Sequence, residues 1–150
     1  MPQTSITRRY HAECAHFLPK VPDGHKCKRV HGHNYEFEIS IVGEMKDGWV
    51  LDFAELDEIV DPLIKAIDHR LLNDIRGLEN PTAEVIAWWL LERIDDALIF
   101  RAGQDNRQIR VDAVKVFETK DCWALAVAPF RYVVVQEEET SAEPAMADAS

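Results

Sequence analysis

Residues 31–41 read HGHNYEFEISI, and their alternation decides the fold. From His31 the odd positions are His31, His33, Tyr35, Phe37, Ile39 and Ile41, while the even ones include Asn34, Glu36, Glu38 and Ser40. A period of two with one polar face predicts a half-buried β-strand. The same period sets His31 and His33 on one side of the strand, about 6–7 Å apart along it. Imidazoles at that spacing can converge on one ion, and Gly32 between them keeps the opposite side uncrowded.

Upstream, residues 7–18 (TRRYHAECAHFL) read as a first strand with His16 near its end, followed by the Pro/Gly-punctuated loop PKVPDGHKCKR. Downstream, a turn at 43–48 leads to Asp52 and Glu55, spaced as a capping box. Phe53, Leu56, Ile59, Val60, Leu63, Ile64 and Ile67 then recur at helical spacing, a stripe suited to a sheet. Pro62 falls inside it and is expected to kink or interrupt the helix, which ends near Asp68 and His69. After the loop NDIRGLENP, Pro81 suits the first turn of a second helix with Val85, Ile86, Trp89, Leu90, Ile94 and Leu98 on its buried face. Residues 101–108, RAGQDNRQ, read as a polar turn. Two more strands follow, at about 109–119 and 122–129, joined tightly at Lys120 and Asp121. The order ββααββ gives an α+β domain: an antiparallel four-stranded sheet with two helices on one face.

The chain has 150 residues, enough for one domain with a substantial core. That domain is placed at 1–130, and 131–150 is read as an acidic C-terminal extension. The stretch EEETSAEPAMADAS at its end is without periodicity and is expected to be disordered, while YVVVQ before it could extend the sheet. The formal net charge of −10 argues against nucleic acid as the main partner. Lys20, Lys26, Lys28 and Arg29 nevertheless crowd one loop, a local patch able to hold an anionic small molecule. No apolar run reaches the length of a membrane span and no signal segment is visible, so a cytoplasmic location is expected, with no membrane partner. Three cysteines, Cys14, Cys27 and Cys122, are too few for a disulfide scaffold.

A third ligand for His31 and His33 must come from elsewhere, and His16 at the end of the neighbouring strand can supply it. Three histidines without a fourth protein ligand are the pattern of a catalytic zinc, which keeps one position open. Cys27 is the competing fourth ligand, which would make a closed structural site. Against this, it sits in a lysine-rich loop, where Lys26, Lys28 and Arg29 favour a free thiolate. Spacing alone also allows an inert loop cysteine and plain surface histidines. Cys14 reads as a small buried strand residue, and nothing marks Cys122 as reactive. Asp68–His69 is either a helix-end pair favourable to the dipole or an oriented acid/base group. Glu118 is either a solvated strand-end charge or a functional carboxylate.

The blocks GHKCKRVHGHNY at 24–35, DFAEL at 52–56, IDHRLLND at 67–74, GLENPTAE at 77–84 and FETKD at 117–121 resemble the 6-pyruvoyl-tetrahydropterin synthase family, in the family's order and across most of residues 7–128. The short gap in C-K-R-V-H-G-H is similar to its 6-carboxy-5,6,7,8-tetrahydropterin synthase branch. Relatives of the pyruvoyl branch carry a longer insertion, and a third branch has glutamate in place of the cysteine. The resemblance implies the tunnelling fold, in which sheets from several subunits close into a β-barrel. It implies a homo-oligomer, trimeric or hexameric, with active sites between subunits.

It further implies a zinc-dependent lyase in queuosine (7-deazaguanine) biosynthesis. The substrate would be 7,8-dihydroneopterin triphosphate; the products would be 6-carboxy-5,6,7,8-tetrahydropterin, acetaldehyde and triphosphate. The alternatives are 6-pyruvoyl-tetrahydropterin synthase activity, which retains the carbon side chain, or a non-catalytic zinc- or pterin-binding module. By the resemblance, His16, His31 and His33 bind Zn2+, and Cys27, Asp68 and His69 are catalytic. Glu118 anchors the pterin ring, with Thr82 and Glu84 as further ring-site residues. His25, Lys26, Lys28 and Arg29 are candidates for the triphosphate. The extension, a slightly longer segment at 99–108, and Arg70 where a relative carries histidine depart from the family pattern.

Overall fold

The computed structural model describes residues 3–129; the extension 131–150, with YVVVQ at 132–136, lies outside the described residues. Strands β1 (Gln3–His16), β2 (His31–Glu44), β3 (Ile109–Thr119) and β4 (Cys122–Val127) form one sheet. Its order is β1-β2-β3-β4, with every neighbouring pair antiparallel. Helices α1 (Phe53–Ile67) and α2 (Ala83–Asp105) lie between the second and third strands in sequence. This is the expected ββααββ α+β architecture, a four-stranded antiparallel sheet with two helices packed on it.

Alternation along each strand selects the covered face. Tyr10, Ala12, Cys14 and His16 of β1, and Tyr35, Phe37, Ile39 and Ile41 of β2, are buried. All of these but His16 share one core with Leu56, Val60 and Ile67 of α1 and with Ile86, Leu90, Ile94 and Leu98 of α2. Full burial of each large aliphatic or aromatic side chain contributes about 1.5–3 kcal/mol. The other face keeps Asn34 and Glu36 exposed on β2, and Trp123, Leu125 and Val127 exposed on β4.

In β3 the alternation changes phase. Ile109 and Val111 are buried, then Val114 and Val116. The pairing with β2 jumps from Ser40↔Ala113 to Ile41↔Val111, leaving Asp112 as the extra residue of a β-bulge. Beyond the bulge the even positions turn inward, and Glu118 follows Val114 and Val116 onto the core side. A bulge re-aims side chains in this way.

The ends of α1 are set locally. Asp52 Oδ1 accepts the Ala54 N–H at 2.7 Å and Glu55 closes the capping box. Asp57 is gripped by Arg8 at 2.7 and 3.0 Å and by the Tyr10 hydroxyl at 2.7 Å, which ties α1 to β1.

Several sequence expectations need correcting. Pro62 does not interrupt α1: it and Glu58, whose carbonyl it leaves without an N–H donor, are both solvent-exposed, so water can satisfy the group. Phe53, assigned to the apolar stripe, is 47% exposed. Pro81 precedes the helix instead of starting it, and Thr82 is the cap. The expected turn at 101–108 is largely helical: α2 runs to Asp105 and stops at Asn106 in the left-handed conformation (φ 51). Ala102 packs into the core, and Arg101 and Arg107 pair with Glu55, so this turn of helix is held by tertiary contacts. The first strand begins earlier than expected, at Gln3, and the last ends at Val127. No helix among the described residues is long and apolar enough to cross a membrane.

Candidate active site

The β1–β2 register sets His16 opposite His31 and Cys14 opposite His33. The three histidines therefore meet on the covered face at one end of the sheet, with ring centroids 4.5–5.1 Å apart. Glu118 joins them from β3. One ligand atom from each of the four lies within 4.8 Å of all the others. His16 Nε2 is 3.0 Å from His31 Nε2 and 3.3 Å from Glu118 Oε1, and His33 Nε2 is 3.0 Å from the same oxygen.

The backbone fixes the tautomers. His16 Nδ1 is 2.9 Å from the Pro81 carbonyl and His31 Nδ1 is 2.7 Å from the Arg29 carbonyl. A carbonyl can only accept, so each Nδ1 carries the proton and donates it. Burial also holds His16 in its neutral form by pushing its pKa below the ordinary histidine value. Both Nε2 atoms thus present lone pairs to each other and to a carboxylate oxygen. Tyr35 lies beneath, its hydroxyl 3.2 and 3.4 Å from the two His16 nitrogens; burial raises its pKa and keeps it protonated.

His33 Nε2 is buried and, despite its closeness to Glu118, makes no hydrogen bond of acceptable geometry. Burial lowers the pKa of His33 as well, with Glu118 opposing. Lone pairs and a carboxylate converging on one point, with an orphaned ring nitrogen among them, fit a divalent cation. The imidazole-rich donor set suits Zn2+, and Nδ1–H bonds to the backbone are the usual support for such ligands.

A second group stands on the β1 side. Asp68, the residue after α1, receives the Glu13 N–H on Oδ1 at 2.9 Å, and its Oδ2 is 2.9 Å from His69 Nδ1. His69 has φ 55, a left-handed conformation uncommon for a side-chain-bearing residue. It is pinned there by its own N–H, which donates to the Glu13 carbonyl at 2.6 Å. Its Nε2 faces Glu13 Oε2 at 3.4 Å. The Glu13 N–H, then His69, holds the Asp68 carboxyl below its ordinary range, and Asp68 chiefly raises the His69 pKa.

His33, Glu118, His69, Glu13, Arg70 and Lys120 line one open cleft of about 890 Å³. Cys14 reaches it too, but its thiol donates to the Ile67 carbonyl at 3.2 Å and burial pushes its pKa up to about 12, so it is inert. Cys27 sits half-buried on a short helical turn, Lys26–Lys28; it is not among the residues that line this cleft, nor one of the four-residue cluster. His25 Nδ1 accepts the Cys27 N–H at 3.1 Å, and the Cys27 carbonyl accepts the Leu18 N–H at 2.8 Å. Lys28 pairs with Asp23. Thr82 caps α2, its hydroxyl accepting the Val85 N–H at 3.2 Å. Glu84 lines a separate depression with Arg76 and Trp88. Neither Thr82 nor Glu84 lines the cleft of its own chain.

Sequence reasoning missed the parts that backbone groups play: the Pro81, Arg29 and Glu13 carbonyls carry no side-chain signal. Glu13 itself was not singled out by the sequence.

Fold and site together define an α+β protein with a histidine-rich metal-competent group beside an Asp–His pair. Residues 5–128 match the model of the 6-pyruvoyl tetrahydropterin synthase family, and the chain belongs to that family of enzymes. A dihydroneopterin monophosphate aldolase of Pyrococcus furiosus is 46% identical over 67 residues, covering 45% of this chain and 57% of that relative. A 6-carboxy-5,6,7,8-tetrahydropterin synthase of Synechocystis sp. is 37% identical over 99 residues, covering 61% of this chain and 75% of the relative. The solved structure of 6-pyruvoyl tetrahydropterin synthase from Caenorhabditis elegans superposes with a TM-score of 0.74 at 24% identity, covering 86% of this chain and 98% of that one. At that identity the likeness concerns the fold.

Proposed function

We propose that the protein is a zinc-dependent carbon–carbon lyase that converts 7,8-dihydroneopterin triphosphate, with water, to 6-carboxy-5,6,7,8-tetrahydropterin, acetaldehyde and triphosphate. Its place is then cytoplasmic queuosine (7-deazaguanine) biosynthesis. The observation that carries this reading is the convergence of His16, His31, His33 and Glu118 at a cleft that also contains His69. The name of the Synechocystis relative supports the choice of reaction.

In this reading His16, His31 and His33 hold the metal, which when bound supplies Lewis acidity toward the hydroxylated side chain of the substrate. Glu118 orients the ring, since a carboxylate accepts paired N–H donors side by side. His69, fixed by Asp68 through Nδ1, moves a proton at Nε2. Cys27 acts as the thiolate base from the loop leading into β2, and His25 positions it by accepting its backbone N–H. Lys26, Arg29 and neighbouring loop cations take the triphosphate, with Lys28 partly neutralised by Asp23. Thr82 and Glu84 complete the ring site through a neighbouring copy.

The working form is a trimer or hexamer with sites between subunits. In support, β1 and β4 are the outer strands of the sheet among the described residues, and β4 exposes Trp123, Leu125 and Val127. Pairing these edges between copies gives the barrel. Cys27, which does not line the cleft of its own chain, then has a route into a shared site. Residues 1–130 are the synthase domain and 131–150 an extension.

Zinc content and product identity after incubation with dihydroneopterin triphosphate test the proposal. Acetaldehyde with a 6-carboxy pterin supports it. A 6-pyruvoyl product replaces it with the pyruvoyl-forming activity, and bound zinc without turnover points to a binding module. A second reading, aldol cleavage of dihydroneopterin monophosphate, is favoured by the Pyrococcus furiosus relative; supplying the monophosphate in the same assay discriminates it.

A further inference from the structure

Glu118 stands where two tasks meet. Its Oε1 belongs to the converging metal group, 3.0 Å from His33 Nε2 and 3.3 Å from His16 Nε2. Its side chain is 27% exposed and lines the cleft in which a ring would sit. The bulge at Asp112 aims it there; without the phase change Phe117 would point inward and Glu118 outward. Among the described residues its ion-pair contacts are His16 and His33, and no Lys or Arg lies within ion-pair distance. Because the His16 Nε2 carries a lone pair, a bare carboxylate oxygen at 3.3 Å repels it unless a cation lies between them.

Accepting two adjacent N–H donors from a planar ring takes both oxygens of a carboxylate together. One of them, Oε1, is the atom already turned to the histidines. The ring donors and the metal group therefore compete for the same oxygen.

We propose that Glu118 closes the fourth position of the metal group in the substrate-free protein and leaves it for the N–H donors of the ring when substrate binds. The inference rests on the metal reading above and deepens it. The open position that catalysis needs appears only once a ring is seated, so binding and activation are linked through one side chain.

The test reads metal directly. Zn2+ affinity is measured by competition with a chromophoric chelator for the wild type, Glu118→Gln, Glu118→Asp and His31→Ala. The visible spectrum of the Co2+-loaded proteins is recorded with and without unsubstituted pterin, a ring lacking the reactive side chain. Glu118→Gln should weaken Zn2+ by about tenfold or more, the least that loss of even an outer-shell partner costs. Pterin should shift the Co2+ bands of the wild type and leave those of Glu118→Gln unchanged. Glu118→Asp, which keeps the charge but retracts the oxygen, should follow Glu118→Gln in its spectrum; circular dichroism checks that both are folded. If folded Glu118→Gln keeps wild-type Zn2+ affinity and the wild-type Co2+ spectrum, Glu118 is no ligand and the proposal falls while the three-histidine site stands. If the wild type binds no stoichiometric metal, or His31→Ala binds it equally well, the metal reading fails and takes this proposal with it.

Discussion

The Nε2 atoms of His16 and His31 lie 3.0 Å apart, each on a ring whose Nδ1 proton is given to a backbone carbonyl. Two lone pairs held that close destabilise the metal-free fold locally, and a cation between them removes the repulsion. Zn2+ should therefore raise the melting temperature, by an amount that corresponds to about 2.7 kcal/mol at free metal 100 times Kd. Differential scanning fluorimetry with added Zn2+ and after chelation measures it. His31→Ala should abolish most of the zinc-dependent rise while remaining folded; a global loss of structure would mean that the metal is structural.

Asp68 and His69 should titrate in opposite directions from their ordinary values. His69 is raised by Asp68, so its share of the pairing is complete below 6.5 and is lost as pH rises through its higher folded value. Asp68 is lowered by the Glu13 N–H and His69, so its share is present above 3.8 and is lost as pH falls through its depressed value. The pair is thus intact between those two limits. In an NMR titration the His69 midpoint should exceed 6.5, and Asp68→Asn should bring it down by removing its largest cause.

Cys27 lies outside the four-residue metal group. Cys27→Ala should therefore retain stoichiometric zinc while turnover falls by about a hundredfold or more, the scale of a lost general base. Metal analysis on the same sample as the rate assay checks both halves. Joint loss of zinc and activity would put the thiolate on the metal.

Thr82 caps α2 directly after Pro81, whose carbonyl orients His16. Thr82→Ala should cost about 1 kcal/mol in urea unfolding, and Thr82→Ser should restore it. If turnover follows stability in both variants, Thr82 acts as a cap; a loss of turnover in Thr82→Ser at full stability would assign it to the ring site.

Much of the fold was legible because its signals are local. Period-two patterning gave β2 and the shared side of His31 and His33, and Asp52 with Glu55 announced the start of α1. The end of α2 was not legible: the polar run at 101–105 stays helical through Ala102 packing and the Arg101–Glu55 and Arg107–Glu55 pairs, which join distant segments. Pro62 misled for a related reason, since the cost of a missing N–H depends on whether water reaches the orphaned carbonyl.

The sequence by itself determined the candidate residues: three histidines on two strands, a loop cysteine, and an Asp–His pair at a helix end. Only the tertiary structure decided how they are arranged. The β1–β2 register set His16 against His31. Carbonyls of Pro81 and Arg29, which no side-chain pattern announces, chose the tautomers. A single extra residue at Asp112 turned Glu118 from the open face to the histidines. Strand alternation is a local property of φ and ψ, whereas register, bulge and carbonyl direction depend on which distant strand or loop is paired.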